Sequence, residues 1–186
     1  MNYVEDLVAA YGRFVALPWP QSVAPAERVW MAVYPPKYER RVRLNIPEFA
    51  NATMQAGHAW GQVDVTQAFE QWMAAHEYAE FYFESPQTLL PALPAFFDEL
   101  AAEVCLELKA HPDPDGVVCL IGVGSLFGLG DRVKVSSLVK AVNESIAGRL
   151  LVLFPGSKEV NSWRLLDARD GWDYRAVAIS AEGAKT

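Results

Sequence analysis

Cysteine, histidine and long apolar runs are all scarce in this chain, and each shortage excludes a class of protein. The two cysteines, Cys105 and Cys119, lie in apolar segments with no CxxC partner and no nearby histidine pair. We therefore expect buried thiols and no metal site. The three histidines show no HExxH or HxH spacing. No apolar run approaches the ~18 residues of a transmembrane helix, and the first residues lack a signal-peptide pattern, so we expect a cytoplasmic protein without membrane contact.

The chain also has fewer basic than acidic residues. The chain has 16 Lys and Arg against 23 Asp and Glu, a formal net charge of −7. Because a dedicated nucleic-acid-binding module carries a basic footprint, we expect no direct DNA binding, despite the cluster of Arg40, Arg41 and Arg43. With 52% hydrophobic and 21% charged residues, the composition is that of a globular protein. A length of 186 residues fits one domain spanning 1–186.

The spacing of apolar residues predicts helices and strands in alternation. Strands are predicted at 28–34, 59–65, 117–123, 149–154 and 174–179. Helices are predicted at 2–16, 37–55, 67–78, 93–109 and 135–147, and Pro47 makes two shorter helices an equal alternative for the second. This order predicts an α/β fold, a mostly parallel five-stranded sheet with helices on both faces. A loop of about twenty residues without a helix precedes the last strand, which leaves an antiparallel edge position open to it.

A glycine-rich loop, GVGSLFG (122–128), follows a strand and precedes a helix, where backbone N–H groups can receive a phosphate. It lacks the GK[ST] ending of a Walker loop and the spacing of a dinucleotide fingerprint. Ser125 does not lie in a GxSxG elbow, so a serine hydrolase is not indicated. We expect Gly122, Gly124 and Gly128 to allow a tight turn at the strand end, with nucleotide binding as the alternative.

Polar and aromatic residues are dense near the C-terminus. This cluster consists of Trp163, Arg164, Asp167, Arg169, Asp170 and Trp172. Asp170-Gly171 is a turn dipeptide, and nothing nearby completes the oxygen set of a divalent metal. Because Arg and Trp are common interface anchors, we predict a partner-binding surface here and no catalytic residue. Trp19, which lies between two prolines, is a further candidate for partner contact.

Several segments resemble the BrxB family. The run RLLVLFPGSKEVNSWRLLDARDGWDYRAVAI (149–179) is similar to the end of its members, where an apolar strand closes on Phe-Pro-Gly and an Asn precedes an aromatic-Arg-Leu-Leu-Asp-Ala-Arg-Asp-Gly-Trp run. The supporting segments are RFVALPW (13–19), AERVWMAVY (26–34), AGHAWGQVDVT (56–66) and GVGSLFG (122–128). The family usually has a tyrosine ahead of the arginine, where this chain has Trp163.

The resemblance implies a cellular setting and a task. BrxB is a small accessory component of BREX anti-phage defence, without a recognised catalytic motif, beside a large ATPase, a methyltransferase and a PglZ-type protein. The resemblance implies that this chain is a non-catalytic adaptor without a cofactor, which binds the PglZ-type protein, the ATPase or both. A degenerate nucleotide-binding domain that lacks the P-loop lysine is the alternative.

Overall fold

Helices and strands alternate along the chain in the computed structural model, which describes residues 2–20, 22–160, 162–166, 168–172 and 175–185. The helices are α1 (Tyr3–Val15), α2 (Glu39–Leu44), α3 (Ile46–Gln55), α4 (Ala68–Ala75), α5 (Ala79–Glu84), α6 (Leu93–Lys109) and α7 (Val135–Val142). The strands are β1 (Val29–Tyr34), β2 (Trp60–Asp64), β3 (Val117–Ile121), β4 (Arg149–Glu159), β5 (Ser162–Leu165), β6 (Ala168–Trp172), β7 (Val177–Ser180) and β8 (Gly183–Lys185). None of the described helices combines the length and apolar character needed to cross a membrane.

Five of the strands form a parallel sheet in the order β2-β3-β4-β1-β7, which confirms the predicted α/β fold. Every residue of β1 and β3 is buried, as expected for strands covered on both faces. β7 pairs in parallel with β1. The antiparallel edge is β8, one tight hairpin further along the chain, and the sequence pattern did not predict this strand.

Each face of the sheet has its own apolar cluster. On one face, α1, α2 and α3 place Leu7, Val42 and Phe49 against the strands. On the other face, α6 and α7 contribute side chains such as Leu100 and Leu138. Burying a large aliphatic or aromatic side chain stabilises a fold by about 1.5–3 kcal/mol, so these two clusters dominate its stability. The predicted 37–55 helix is two helices, because a proline lies in the first turn of α3.

The antiparallel β4-β5-β6 arrangement extends one end of the sheet, beyond the residues of β4 that pair with β1. Gly156 is required here, because a Cβ at this position would collide with the carbonyl oxygen of Arg164. Trp163 and Leu165 of β5 join the same apolar cluster as α6 and α7. The predicted turn at Asp170-Gly171 is therefore wrong: both residues lie in β6, and a turn occurs at Leu166, whose φ is 53°.

Candidate functional site

The glycine-rich loop leaves the end of β3 as a 3-10 turn over Val123–Leu126. Gly122 has a φ of 87°, and a side chain there would collide with Thr66, so only glycine fits. Ser125 Oγ lies 2.8 Å from the Gly122 carbonyl oxygen and 3.3 Å from that of Val65. Its single proton is therefore engaged by backbone acceptors within the chain.

A carboxylate of the chain itself occupies the amino end of α7, the helix that follows this loop. Asp170 accepts hydrogen bonds from the backbone N–H groups of Val135 (2.8 Å) and Ser136 (2.7 Å), one at each carboxylate oxygen. The Ser136 hydroxyl donates to the Asp170 carbonyl oxygen (2.9 Å). In a loop–helix phosphate site, N–H groups of this kind bind the phosphate. Asp170 therefore caps the helix and fills its anion position.

Two members of the predicted partner-binding cluster are interior side chains. Asp170 is 5% exposed and Trp163 is 3% exposed. Burial raises the pKa of the Asp170 carboxyl, while the hydrogen bonds from Ser136 and Val135 act in the opposite direction. Both side chains are buried in this structure, where their contacts are within the chain, and partner contact by these two residues stays a prediction.

The remaining members of the cluster are Arg164, Asp167, Arg169 and Trp172. Arg164 Nη1 is 3.8 Å from Glu159 Oε1. Arg169 is exposed and lines a cleft of about 170 Å³ together with Gly128, so the two segments that the sequence singled out do meet. Asp167 lies outside the described residues, and of Trp172 the structure gives the backbone, which pairs with Ser162. Partner contact by these four residues stays a prediction.

Open α/β sheets bind ligands at the carboxyl ends of their strands, and here that edge carries a chain of hydrogen bonds. The Tyr34 hydroxyl donates to Glu39 (2.6 Å), and Arg43 Nε donates to the other Glu39 oxygen (2.8 Å). The Arg43 guanidinium also donates to the Thr66 hydroxyl, which in turn donates to Asp64. A cleft of about 410 Å³ lies beside Arg43, Asp64 and Thr66. These five side chains are thus bonded to one another.

No group of three or more His, Cys, Asp or Glu side chains is placed to hold a metal ion among the described residues. Cys119 is fully buried, as predicted, and burial raises the pKa of its thiol. Cys105 is only partly buried.

Trp19 lies near the amino ends of β1 and β4, where it is half-buried among aromatic and charged side chains. Its indole stacks on His58 with ring centroids 3.7 Å apart, and it meets Trp30 edge-on at 5.2 Å. The indole N–H donates to the Val15 carbonyl oxygen (3.0 Å). The Arg149 guanidinium lies 4.9 Å from the indole centroid. Trp19 is therefore held in a fixed orientation, and its contact with a partner stays a prediction.

Large apolar side chains are exposed to solvent around α5, a helix that the sequence pattern did not predict. Tyr78, Phe81, Phe83 and Leu90 are 55%, 52%, 73% and 60% exposed, and we call these four residues the α5 surface. α5 has no buried residue, and Leu90 belongs to a 3-10 segment, 86–92, that packs beside it. The available signal was the run HEYAEFYFE (76–84), in which aromatic and acidic residues mix without the period of a buried helix face.

The α5 surface lies in the most acidic part of the sequence. Residues 44–108 include ten Asp or Glu and neither Lys nor Arg. Glu77, Glu80 and Glu84 flank the aromatic residues of α5, and all three are exposed. Negative potential is therefore concentrated around the exposed rings.

Comparisons of this chain with protein-family models, with curated proteins and with solved structures found no match.

Proposed function

We propose that this chain is a non-catalytic adaptor that binds a larger protein of a BREX-type defence system. The α5 surface carries the proposal, because four large apolar side chains of two neighbouring elements are exposed. Large exposed apolar side chains are typical of interaction sites, and aromatic residues are enriched at protein interfaces. The resemblance to the BrxB family suggests the setting and the partner, a PglZ-type protein or the BREX ATPase.

The charges around the α5 surface indicate what kind of surface the partner presents. Glu77, Glu80 and Glu84 would repel an acidic partner, whereas Lys or Arg residues around an apolar centre would complement them. We therefore expect a partner with a basic rim and an apolar pocket that receives Phe81 or Phe83. Charge pairs at such a rim favour rapid and selective association more than they raise affinity.

The capped amino end of α7 favours this role over the nucleotide-binding alternative. A phosphate at that position would have to displace the Asp170 carboxylate, which already accepts from Val135 and Ser136. Two anions cannot share one pair of N–H donors without strong repulsion. Nucleotide binding at the glycine-rich loop would therefore lack its main anion-binding element.

Co-purification with each BREX component tests the proposal. We expect the tagged chain to retain the PglZ-type protein or the ATPase, and we expect the double substitution Phe81→Ser/Phe83→Ser to lose this binding. Loss of one aromatic anchor from an interface centre weakens binding by about 2 kcal/mol, roughly 30-fold in Kd. Both rings are exposed, so the variant should melt like the unmodified chain.

Leu44→Ser/Met54→Ser is the matched control, because these side chains are 72% and 55% exposed on α2 and α3. The control variant should bind its partner as the unmodified chain does. Failure of the unmodified chain to bind any BREX component, alone or in combination, would reject the adaptor role. Equal binding by both double variants would reject the α5 surface as the interface.

A further inference from the structure

A cleft near the amino ends of β1 and β7 combines aromatic walls with three cations, and the adaptor role does not use it. Its volume is about 470 Å³. The main apolar lining residues are Phe14, Leu17, Pro18, Trp19, Val23 and Trp30. The cations are Arg149, Lys158 and Arg175. We call this the tryptophan cleft.

Arg149 is the unusual residue of the tryptophan cleft, because it is a cation that is only 6% exposed. Its guanidinium donates to two carbonyl oxygens, those of Gly148 (3.1 Å) and Pro20 (3.1 Å). None of the ion pairs among the described residues includes it. Burial lowers the pKa of Arg149, and the nearby Arg28 lowers it further, while Asp115 acts in the opposite direction. Buried charges are normally paired, so this guanidinium can accept an anion that a ligand brings.

Two tryptophan rings hold Arg149 in place without neutralising it. The guanidinium carbon lies 4.9 Å from the Trp19 centroid and 5.9 Å from the Trp30 centroid. Cation–π contacts of this kind attract a guanidinium to the face of an aromatic ring. They fix the cation at the wall of the cleft and leave its charge in place.

The other two cations come from different parts of the chain. Lys158 lies in the end of β4 beyond the parallel sheet, and Arg175 lies just before β7. Both side chains are exposed. Glu27 is the one carboxylate among the described lining residues, and it already accepts from the Ala24 N–H (3.3 Å). The described lining residues thus carry a net positive charge, in a chain whose net charge is −7.

We infer that the tryptophan cleft binds a small amphiphilic anion. Its aromatic or aliphatic body would lie against the Trp, Phe and Pro side chains, and its carboxylate, sulfonate or phosphate would face Arg149, Lys158 and Arg175. Small-molecule sites have volumes of about 300–1,000 Å³, mostly apolar walls and a few converging polar groups. The tryptophan cleft has each of these properties.

Two dyes with nearly the same rings and different charge test this inference. 8-Anilinonaphthalene-1-sulfonate is an anion, and N-phenyl-1-naphthylamine is its neutral counterpart. Both are titrated by fluorescence into the full chain carrying Phe81→Ser/Phe83→Ser, which removes apolar binding at the α5 surface. We expect one site for the anionic dye, with an affinity at least about tenfold above that of the neutral dye, because a charge-assisted contact to a partly buried cation is strong.

Lys158→Glu/Arg175→Glu should weaken binding of the anionic dye by at least about tenfold and leave the neutral dye unchanged. The matched control is Lys109→Glu/Lys140→Glu, which changes the net charge equally at two exposed positions outside the cleft. Arg149 itself is left intact because it is buried in the sheet. Equal affinities for the two dyes, or equal losses in the two double variants, would overturn the inference.

Discussion

At the scale of single residues, Asp170 links two parts of the chain that are far apart in sequence. A helix is usually capped by the residue that immediately precedes it. In α7 that residue is Lys134, whose side chain makes no cap hydrogen bond. The cap comes instead from Asp170 in β6, 35 residues after Val135 and 34 after Ser136. The same side chain therefore anchors the β4-β5-β6 extension to a helix of the core.

Asp170→Ala should destabilise the fold. The substitution removes a cap, which is worth about 0.5–2 kcal/mol, and leaves the buried Val135 N–H without its acceptor. We expect the free energy of unfolding, measured in urea by circular dichroism, to fall by about 2 kcal/mol. Asp131→Ala is the control, because this carboxylate is 99% exposed and pairs with Lys134 on the surface, and surface ion pairs contribute little. A loss no larger than that of the control would mean that Asp170 does not cap α7 in solution.

At the scale of elements, prediction from sequence succeeded where the signal is local. The predicted span 93–109 is that of α6, and β1, β3 and β4 contain continuous apolar runs such as 117–121. The missed elements depend on partners elsewhere in the chain. β5 has four residues and β6 has five, and their burial follows from pairing with the end of β4. α5 has no buried residue, so no apolar period marks it.

Prediction of the candidate site from the sequence was likewise limited to local signals. The glycine-rich loop was placed correctly at the end of a strand. The described residues of the C-terminal cluster lie in β5 and β6, which were not predicted, and Arg169 shares one cleft with Gly128. The role of Asp170 could not be predicted, because Asp-Gly has a ready local interpretation as a turn. The tryptophan cleft combines Trp19, Arg149 and Arg175, and only the packing of the sheet brings these residues together.

Substitution of alanine for glycine at two positions tests the local geometry of a strand and of a helix. Gly156→Ala places a Cβ against the Arg164 carbonyl, so we expect a loss of stability of about 1–3 kcal/mol. Gly12→Ala lies inside α1, where the new Cβ meets Ala52 Cβ at an ordinary 3.6 Å. This change should stabilise the chain by about 0.5–1 kcal/mol. Urea unfolding measures both. No loss of stability in Gly156→Ala would contradict the geometry of Gly156, and a loss in Gly12→Ala would contradict that of Gly12.

At the scale of the whole molecule, charge is separated between two surfaces. Glu77, Glu80 and Glu84 flank the aromatic residues of the α5 surface, whereas Arg149, Lys158 and Arg175 line the tryptophan cleft. A uniform net charge of −7 would only keep the chain soluble. Its uneven distribution instead orients the molecule relative to a charged partner before contact.

Association with the proposed partner should therefore depend on salt. Raising ionic strength shortens the Debye length from about 10 Å at 0.1 M to about 3 Å at 1 M, so the association rate constant should fall. Glu80→Lys/Glu84→Lys should lower this rate constant at low salt, as measured by stopped-flow fluorescence. Glu48→Lys/Glu144→Lys changes two exposed carboxylates outside α5 and should have a smaller effect. Equal effects would mean that net charge, and not the α5 surface, sets the rate.

The position of β1 in the sheet has a consequence for synthesis. This early strand pairs with β4 on one side and with β7 on the other, over more than a hundred residues of intervening chain. During translation β1 leaves the ribosome long before β4 or β7 has been synthesised. The cap of α7 likewise cannot form until β6 has been synthesised. The nascent chain therefore cannot complete its sheet in stages from the N-terminus. Its folding is delayed until nearly all of these residues have emerged, and its apolar strands depend on protection until then.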